Sequence, residues 1–318
     1  MSARILVTGG SGFVGRHVVA AAREAQGDTP PPVRLALRDP ASPPPGGGPL
    51  DGTAPVDVVR ADLTDASSLR GVCAGVDVVL HCASHVGDDE RLTAAVNDHG
   101  TRALVEEATR AGVARVVYVS TAAVYGRGPF TGVLPGEAPL APASPTSRSR
   151  AAAERHVLDA GGVVLRPHLV LGAGDRWVVP GLVALLGLLS AGLKGCAARH
   201  CVVDVRALAR AVVAAGLSER VPAGVHHVNH PDPVSSSELL DTVADRLGPR
   251  LSGAPLDLDE ARTRLAGQPR ALHHLGMLAV DHWFADDGFW AGAGVDPGAG
   301  FAPSLAEHTS WYRQFLDR

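Results

Sequence analysis

The chain has 318 residues, 46% of them hydrophobic, enough to bury a large core as one α/β domain or as a major domain with a smaller lobe. Its 29 basic and 33 acidic residues leave a net charge of −4, with no Lys/Arg block of the kind that tracks a phosphate backbone, so nucleic acid is not an expected partner. Four scattered cysteines (Cys73, Cys82, Cys196, Cys201), and an apolar run that begins at residue 3 in place of a secretory leader, make the reducing cytoplasm the expected location.

In chain order, β-branched runs at ARILVT (3–8), VRLAL (33–37), VDVV (56–59), VDVVLHC (76–82) and VARVVYVS (113–120) alternate with longer helix-like stretches. Near-continuous apolar strands separated by helices predict a parallel sheet covered on both faces, an α/β, Rossmann-type doubly wound arrangement. The first strand runs into TGGSGFVGR (8–16), which opens a helix. Gly9 suits a tight turn, Gly12 a close backbone approach to a pyrophosphate, and Gly15 close helix–sheet packing, while the helix N-terminus favours negative charge. Thr8, Gly9, Ser11, Gly12, Phe13, Val14, Gly15 and Arg16 are therefore candidate contacts to a nicotinamide dinucleotide. At the end of the second strand Arg38 stands where an acid would bind the adenosine ribose hydroxyls of NAD. A guanidinium there can pair with a 2′-phosphate, with help from Arg16, so NADP(H) is the expected cofactor.

DPASPPPGGGPLDGTAP (39–55) carries too much proline and glycine for a helix and is predicted to be a flexible insertion. WVVPGLVALLGLLSAGLKG (177–195) is apolar but short and broken by Pro180, Gly181, Gly187 and Gly192, so a buried or lid-forming helix is expected there and no membrane span. Helices are predicted at 205–217 and 235–247. The division expected is a mainly dinucleotide-binding domain over 1–168 and a mainly substrate-binding lobe and lid over 169–318, with segments near 200–230 returning to the first.

Several motifs in this order resemble the extended short-chain dehydrogenases/reductases: TGGSGFVG (8–15), Asp62-Leu63, HCAS (81–84), VNDHGT (96–101), VSTAAVYG (119–126), LRPHLVLGAGD (165–175) and GFAPSLAEHTSWYRQ (300–314). The resemblance implies that Asp62 and Leu63 flank the adenine, that Cys82, Ala83 and Ser84 line the nicotinamide ribose, and that Pro167, His168 and Leu169 face the carboxamide. Asn97 falls where many members keep a structural or proton-relay Asn.

The family's reaction centre is a Ser/Thr, a Tyr and a Lys. The first maps to Thr121, but the Tyr position is Thr146 and the Lys position is Arg150, in ASPTSRSRAAAE (143–154), where Ser149 and Glu154 keep their places. No shift of alignment restores the pair, because the three tyrosines are Tyr118, Tyr125 and Tyr312 and the single lysine is Lys194. A Tyr beside an ammonium can have its pKa of about 10 lowered toward neutrality and act as an acid. A threonine hydroxyl is a poor proton source at pH 7, and arginine keeps its proton.

Other constellations rank lower. HHVNH (226–230) falls in an expected strand with its histidines split between two faces, so no metal is expected; the cysteines lack a second pair for zinc, and no G-x-S-x-G elbow is present. The expected activity is NADPH-dependent reduction of a ketone. Loss of the pair, together with an arginine-, glycine- and proline-rich composition, makes the chain similar to ketoreductases of polycyclic aromatic polyketides in actinobacterial antibiotic pathways. The proton is expected from the substrate itself, with Thr121, Ser84 and His168 as hydrogen-bonding or orienting residues. A catalytically inactive NADP(H)-binding sensor is the alternative; epimerases and dehydratases of the same fold also lean on the missing Tyr.

Overall fold

The computed structural model describes residues 3–25, 32–40, 56–248 and 251–317. From residue 41 onward, the proline- and glycine-rich insertion lies outside the described residues.

Seven parallel strands form the main sheet. Their order is Gly224–His227, Val163–Arg166, Arg115–Val119, Val78–His81, Ile5–Thr8, Val33–Leu37 and Val56–Arg60. The strand residues alternate between two cores, as period-two geometry requires. Ile5, Val7, Leu80 and Val117 pack on one face against Val18, Val19 and Ala22 of the Phe13–Glu24 helix and Leu208, Val212 and Ala215 of the Val205–Leu217 helix. Leu6, Val79 and Tyr118 pack on the other face with Leu104 and Ala108 of Gly100–Ala111 and Ala153 and Val157 of Pro145–Asp159. Both faces are covered, so the strands are apolar throughout rather than alternating with polar residues. Strand order reverses between Ile5–Thr8 and Val78–His81, and the crevice beyond their C-terminal ends is where such sheets take ligands.

Beyond Arg166 the chain builds a second core. A four-stranded sheet runs in the order Val234–Ser235, Arg199–His200, His282–Phe284 and Phe130–Val133, and a separate pair joins Leu169–Leu171 to Val202–Asp204. The predicted helices at 205–217 and 235–247 form as Val205–Leu217 and Ser236–Leu247, each started by a side-chain cap, from Asp204 and Ser235. Among the described residues no helix is long and apolar enough to cross a membrane.

The apolar 177–195 stretch forms the Val178–Leu189 helix, but its apolar face does not stay open to cover a substrate. Val179, Leu182, Leu185, Leu186 and Leu189 are buried in the second core with Leu239, Leu240, Leu275 and Leu305. With only Gly and apolar residues along this helix, the cheapest place for most of its surface is the lobe's own interior. Trp177 at its start and Leu188 are the large apolar side chains left exposed.

Candidate functional site

The 8–16 loop is a tight turn built on its glycines. Gly9 has a φ of +69°, and a Cβ there would stand 2.6 Å from the backbone of Ala83, so both conformation and space require glycine. Gly12 N–H donates to Gly9 O at 2.8 Å, closing the turn. A Cβ on Gly15 would lie 2.1 Å from Gly9 O, so this glycine lets the helix press on the loop itself and not, as expected, on the sheet. The Phe13–Glu24 helix has no side-chain N-cap and no acid in its first turn. Ser11, Phe13 and Val14 sit at that uncapped end, whose unsatisfied N–H groups suit a pyrophosphate. Thr8 is buried behind the loop, its hydroxyl 2.6 Å from His81 Nδ1, while His81 Nε2 meets Thr101 Oγ1 at 2.8 Å. Complete burial drops the pKa of His81 to about 3, so it serves as a neutral bridge.

A loop from the second lobe closes on this helix. His17 Nε2 lies 2.9 Å from Ala173 O, and a Cβ on Gly174 would come within 3.0 Å of the Phe13 ring. Burial and the neighbouring Arg176 lower the pKa of Arg16, so two cations converge beside the expected pyrophosphate position. Asp175 in the same loop accepts from the backbone N–H groups of Trp177, Val178 and Val179 and from Tyr312 Oη–H, fixing the start of the Val178–Leu189 helix.

At the adenine end, Arg38 is exposed just past the second strand and helps lower the pKa of Asp62, after the larger effect of hydrogen bonds from Thr64 N–H and Oγ1–H. Leu63 packs so closely on Gly100 that a Cβ there would stand 2.6 Å from Leu63 Cβ.

Thr146 and Arg150, the positions where the resemblance sets a Tyr and a Lys, are both tied to backbone. Ser144 and Ser147 form a reciprocal cap that starts the Pro145–Asp159 helix and presents Thr146 and Arg150. Thr146 Oγ1 donates to Gly87 O and accepts from Gly87 N–H, each at 3.0 Å. Arg150 Nη2 donates to Val119 O at 2.7 Å, and its Nε has no partner though buried. Asn97, inside a π-helical turn over Ala94–His99, holds the facing loop: its Oδ1 accepts from His85 N–H and Ser84 Oγ–H, and its Nδ2 donates to His85 O and Ser149 Oγ. Cys82 is pushed up to about 12 by burial and stays a thiol. Thr121 caps the Ala122–Tyr125 turn by accepting from Ala123 N–H, which leaves its own hydrogen to donate. Ala122 N–H donates to Pro167 O, so Thr121 and the Pro167–Leu169 segment are held together.

His168 is the least ordinary of these residues. Its N–H donates to Asn229 Oδ1, and its ring stacks on His282 (centroids 5.5 Å, planes 9° apart) and on His200 (6.3 Å). Burial, and then the neighbouring His200 and His282, push its pKa well below the ordinary histidine value. His168 Nε2 and Asn229 Nδ2 are buried without partners. The observation that fits a nicotinamide dinucleotide is the 9–15 loop, where a Cβ on Gly9 or Gly15 would clash with backbone and the helix start is left uncapped.

Two features had no sequence signal. The histidine stack joins residues 168, 200 and 282, which no spacing rule links. Behind the crevice, Arg166 makes a two-pronged pair with Glu154 (2.5 and 2.9 Å) and donates to Tyr125 Oη, which meets His227 Nε2 at 2.8 Å. Ser120 Oγ donates to the same Glu154. His227 is thus committed to Tyr125, and His226 to Asp287 at 2.9 Å. Among the described residues no group of three or more His, Cys, Asp or Glu is arranged to hold a metal.

The sequence model of the NAD dependent epimerase/dehydratase family matches residues 5–218. The chain belongs to this family. Among family relatives, a dTDP-glucose 4,6-dehydratase of Streptomyces griseus is 39% identical over 166 residues, 48% of this chain and 48% of that protein. The chain spans about half the length of the curated dehydratases it matches. A 3 beta-hydroxysteroid dehydrogenase/Delta 5→4-isomerase of Mycobacterium tuberculosis is 27% identical over 321 residues, covering 90% of this chain and 82% of the relative. WbmH of Bordetella bronchiseptica, solved in complex with NAD+, aligns with a TM-score of 0.75 at 21% identity, over 99% of this chain and 100% of that one, a likeness of fold.

Proposed function

We propose that the protein is an NADP(H)-dependent ketoreductase whose substrate, a polycyclic aromatic ketone of the polyketide type, supplies the proton from a hydroxyl next to its carbonyl. The observation that carries this is the commitment of both replaced positions: Thr146 Oγ1 is engaged with Gly87 backbone on both sides, and Arg150 with Val119 O. Epimerisation and dehydration need protein groups that take up and return protons. Ketone reduction needs only a hydride, an oriented carbonyl and a stabilised oxygen. An NADPH molecule, when bound, supplies the hydride. The chain's part is to hold the pyrophosphate at the Gly9–Gly15 loop, to pair Arg38 with the 2′-phosphate, and to orient the carbonyl with the Thr121 hydroxyl hydrogen, Ser84 and the 167–169 segment.

The polycyclic class is supported by the match, over 90% of this chain and 82% of the relative, to a protein named for a steroid, a fused-ring compound, and by exposed Trp177 at the second lobe. Within that class we place the protein in antibiotic biosynthesis, with the angucyclinone ketoreductase of simocyclinone biosynthesis as its counterpart. The composition and the lost pair support this. The test follows NADPH absorbance with 8-hydroxy-1-tetralone and larger hydroxylated fused-ring ketones. Consumption is expected, with the methyl ethers binding but turning over at less than about one hundredth of the rate, the typical worth of an acid catalyst. NADP(H) binding without consumption of any ketone would leave a binding protein; equal rates on ether and phenol would place the proton donor in the protein.

A further inference from the structure

Once Thr146 and Arg150 are tied to backbone, the side chains around the lost Tyr position can be searched for one that moves protons at neutral pH. His81 and His168 are held neutral inside the fold. His85 is different. It follows the HCAS segment, is only half-buried, and its ring has no hydrogen-bond partner among the described residues. Its Nε2 lies 3.2 Å from where a Cβ on Gly87 would stand, and Gly87 is the residue whose N–H and C=O both pair with Thr146 Oγ1. The ring therefore sits beside the lost Tyr position. Its backbone is not free to drift, because Asn97 accepts from His85 N–H at 2.7 Å and donates to His85 O at 2.9 Å. A clamped backbone carrying an uncommitted imidazole is an arrangement for proton transfer, since one imidazole ring can both donate and accept a proton.

We propose that His85 is the proton-carrying residue of the reaction centre, restoring the proton that the substrate's hydroxyl gives up. The proposal rests on the ketoreductase reading above. The carbonyl carbon gains the hydride and the carbonyl π pair moves to its oxygen. That oxygen takes the proton of the neighbouring phenol. The phenolate then takes the Nε2 proton of the His85 imidazolium, leaving neutral imidazole, which regains a proton from water. Overall, ketone, NADPH and one proton become alcohol and NADP+. The charged neighbours that can tune this exchange are Asp88 and Asp89 in the same loop, Glu90 paired with Arg148 at 3.1 Å, and Arg150 on the facing helix.

His85→Gln and His85→Ala test it with 8-hydroxy-1-tetralone. Both variants should bind NADPH as the parent does, measured by fluorescence titration. His85→Gln should lower kcat by about 100-fold and flatten the dependence of kcat on pH that the parent shows. Added imidazole should restore turnover to His85→Ala and leave the parent unchanged. By NMR, the His85 ring resonance of the parent should move when the tetralone joins the NADP+ complex. An unchanged kcat and pH profile in His85→Gln overturns the assignment, as does loss of NADPH binding together with turnover, which would mark His85 as a structural residue. Failure of the ketoreductase reading looks different: the parent itself would consume no NADPH with any ketone.

Discussion

Thr146 shows how a single hydroxyl can tie two distant segments together. Its hydroxyl joins the Pro145–Asp159 helix to the 84–87 loop through both polar groups of Gly87, work for which a tyrosine oxygen would stand too far from the helix. Thr146→Val should therefore destabilise the protein by about 1–3 kcal/mol in urea unfolding, the cost of leaving such groups unpaired, while keeping a substantial part of kcat. A normal stability with abolished turnover would make Thr146 the proton donor. Arg38 is the residue we propose selects the cofactor. NADP(H) should bind clearly tighter than NAD(H) in calorimetric titration, and Arg38→Ala should narrow the gap by about 1–3 kcal/mol, the worth of a charge-assisted pair. Equal affinities in the parent would remove Arg38 from cofactor choice.

At the scale of elements, the close approach of the Phe13–Glu24 helix to its own loop is what shapes the phosphate site. Gly15→Ala forces a methyl group into Gly9 O, where backbone cannot yield cheaply, so dinucleotide affinity should fall by more than about tenfold, or 1.4 kcal/mol. Gly276 offers the contrast. It lies inside the Pro269–Leu278 helix with nothing within 4 Å of its would-be Cβ, so Gly276→Ala should raise stability by about 0.5–1 kcal/mol through helix propensity and leave cofactor binding alone. Equal effects of the two substitutions on binding would show that the loop tolerates movement.

At the scale of the whole molecule, buried histidines link the two cores. His200 and His282 belong to the four-stranded sheet of the second lobe, His168 to the segment leaving the main sheet, and the three rings stack within 6.3 Å of one another. Burial lowers His200 and His227 to about 4 and also lowers His282. Groups held neutral in the fold take up protons on unfolding once the pH drops below about 6.5, so stability is full above that value and falls as pH decreases toward 4. Each such histidine adds a slope of about 1.4 kcal/mol per pH unit over that window. Unfolding midpoints in urea should fall steadily from pH 7 to pH 5, and His200→Asn should flatten part of the slope. A midpoint that holds constant or rises over this range would mean the histidines are not buried neutral in solution.

The run of apolar strands and the glycine turn at 9–15 were legible in the residues alone, because each is local: a strand's periodicity and a turn's steric demand need no distant partner. The Val163–Arg166 strand is not among the expected strands, although Gly161 and Gly162 mark the turn before it. Only tertiary structure decided what the apolar 177–195 helix covers, because an apolar stripe records that burial occurs and not against what. The same holds for the site. Thr146 pairs with Gly87 across 59 positions of sequence, and His85 stands beside it because Asn97 holds its loop there. Hydrogen bonds between segments so far apart depend on how the helices settle on the sheet, and no single stretch of residues contains that.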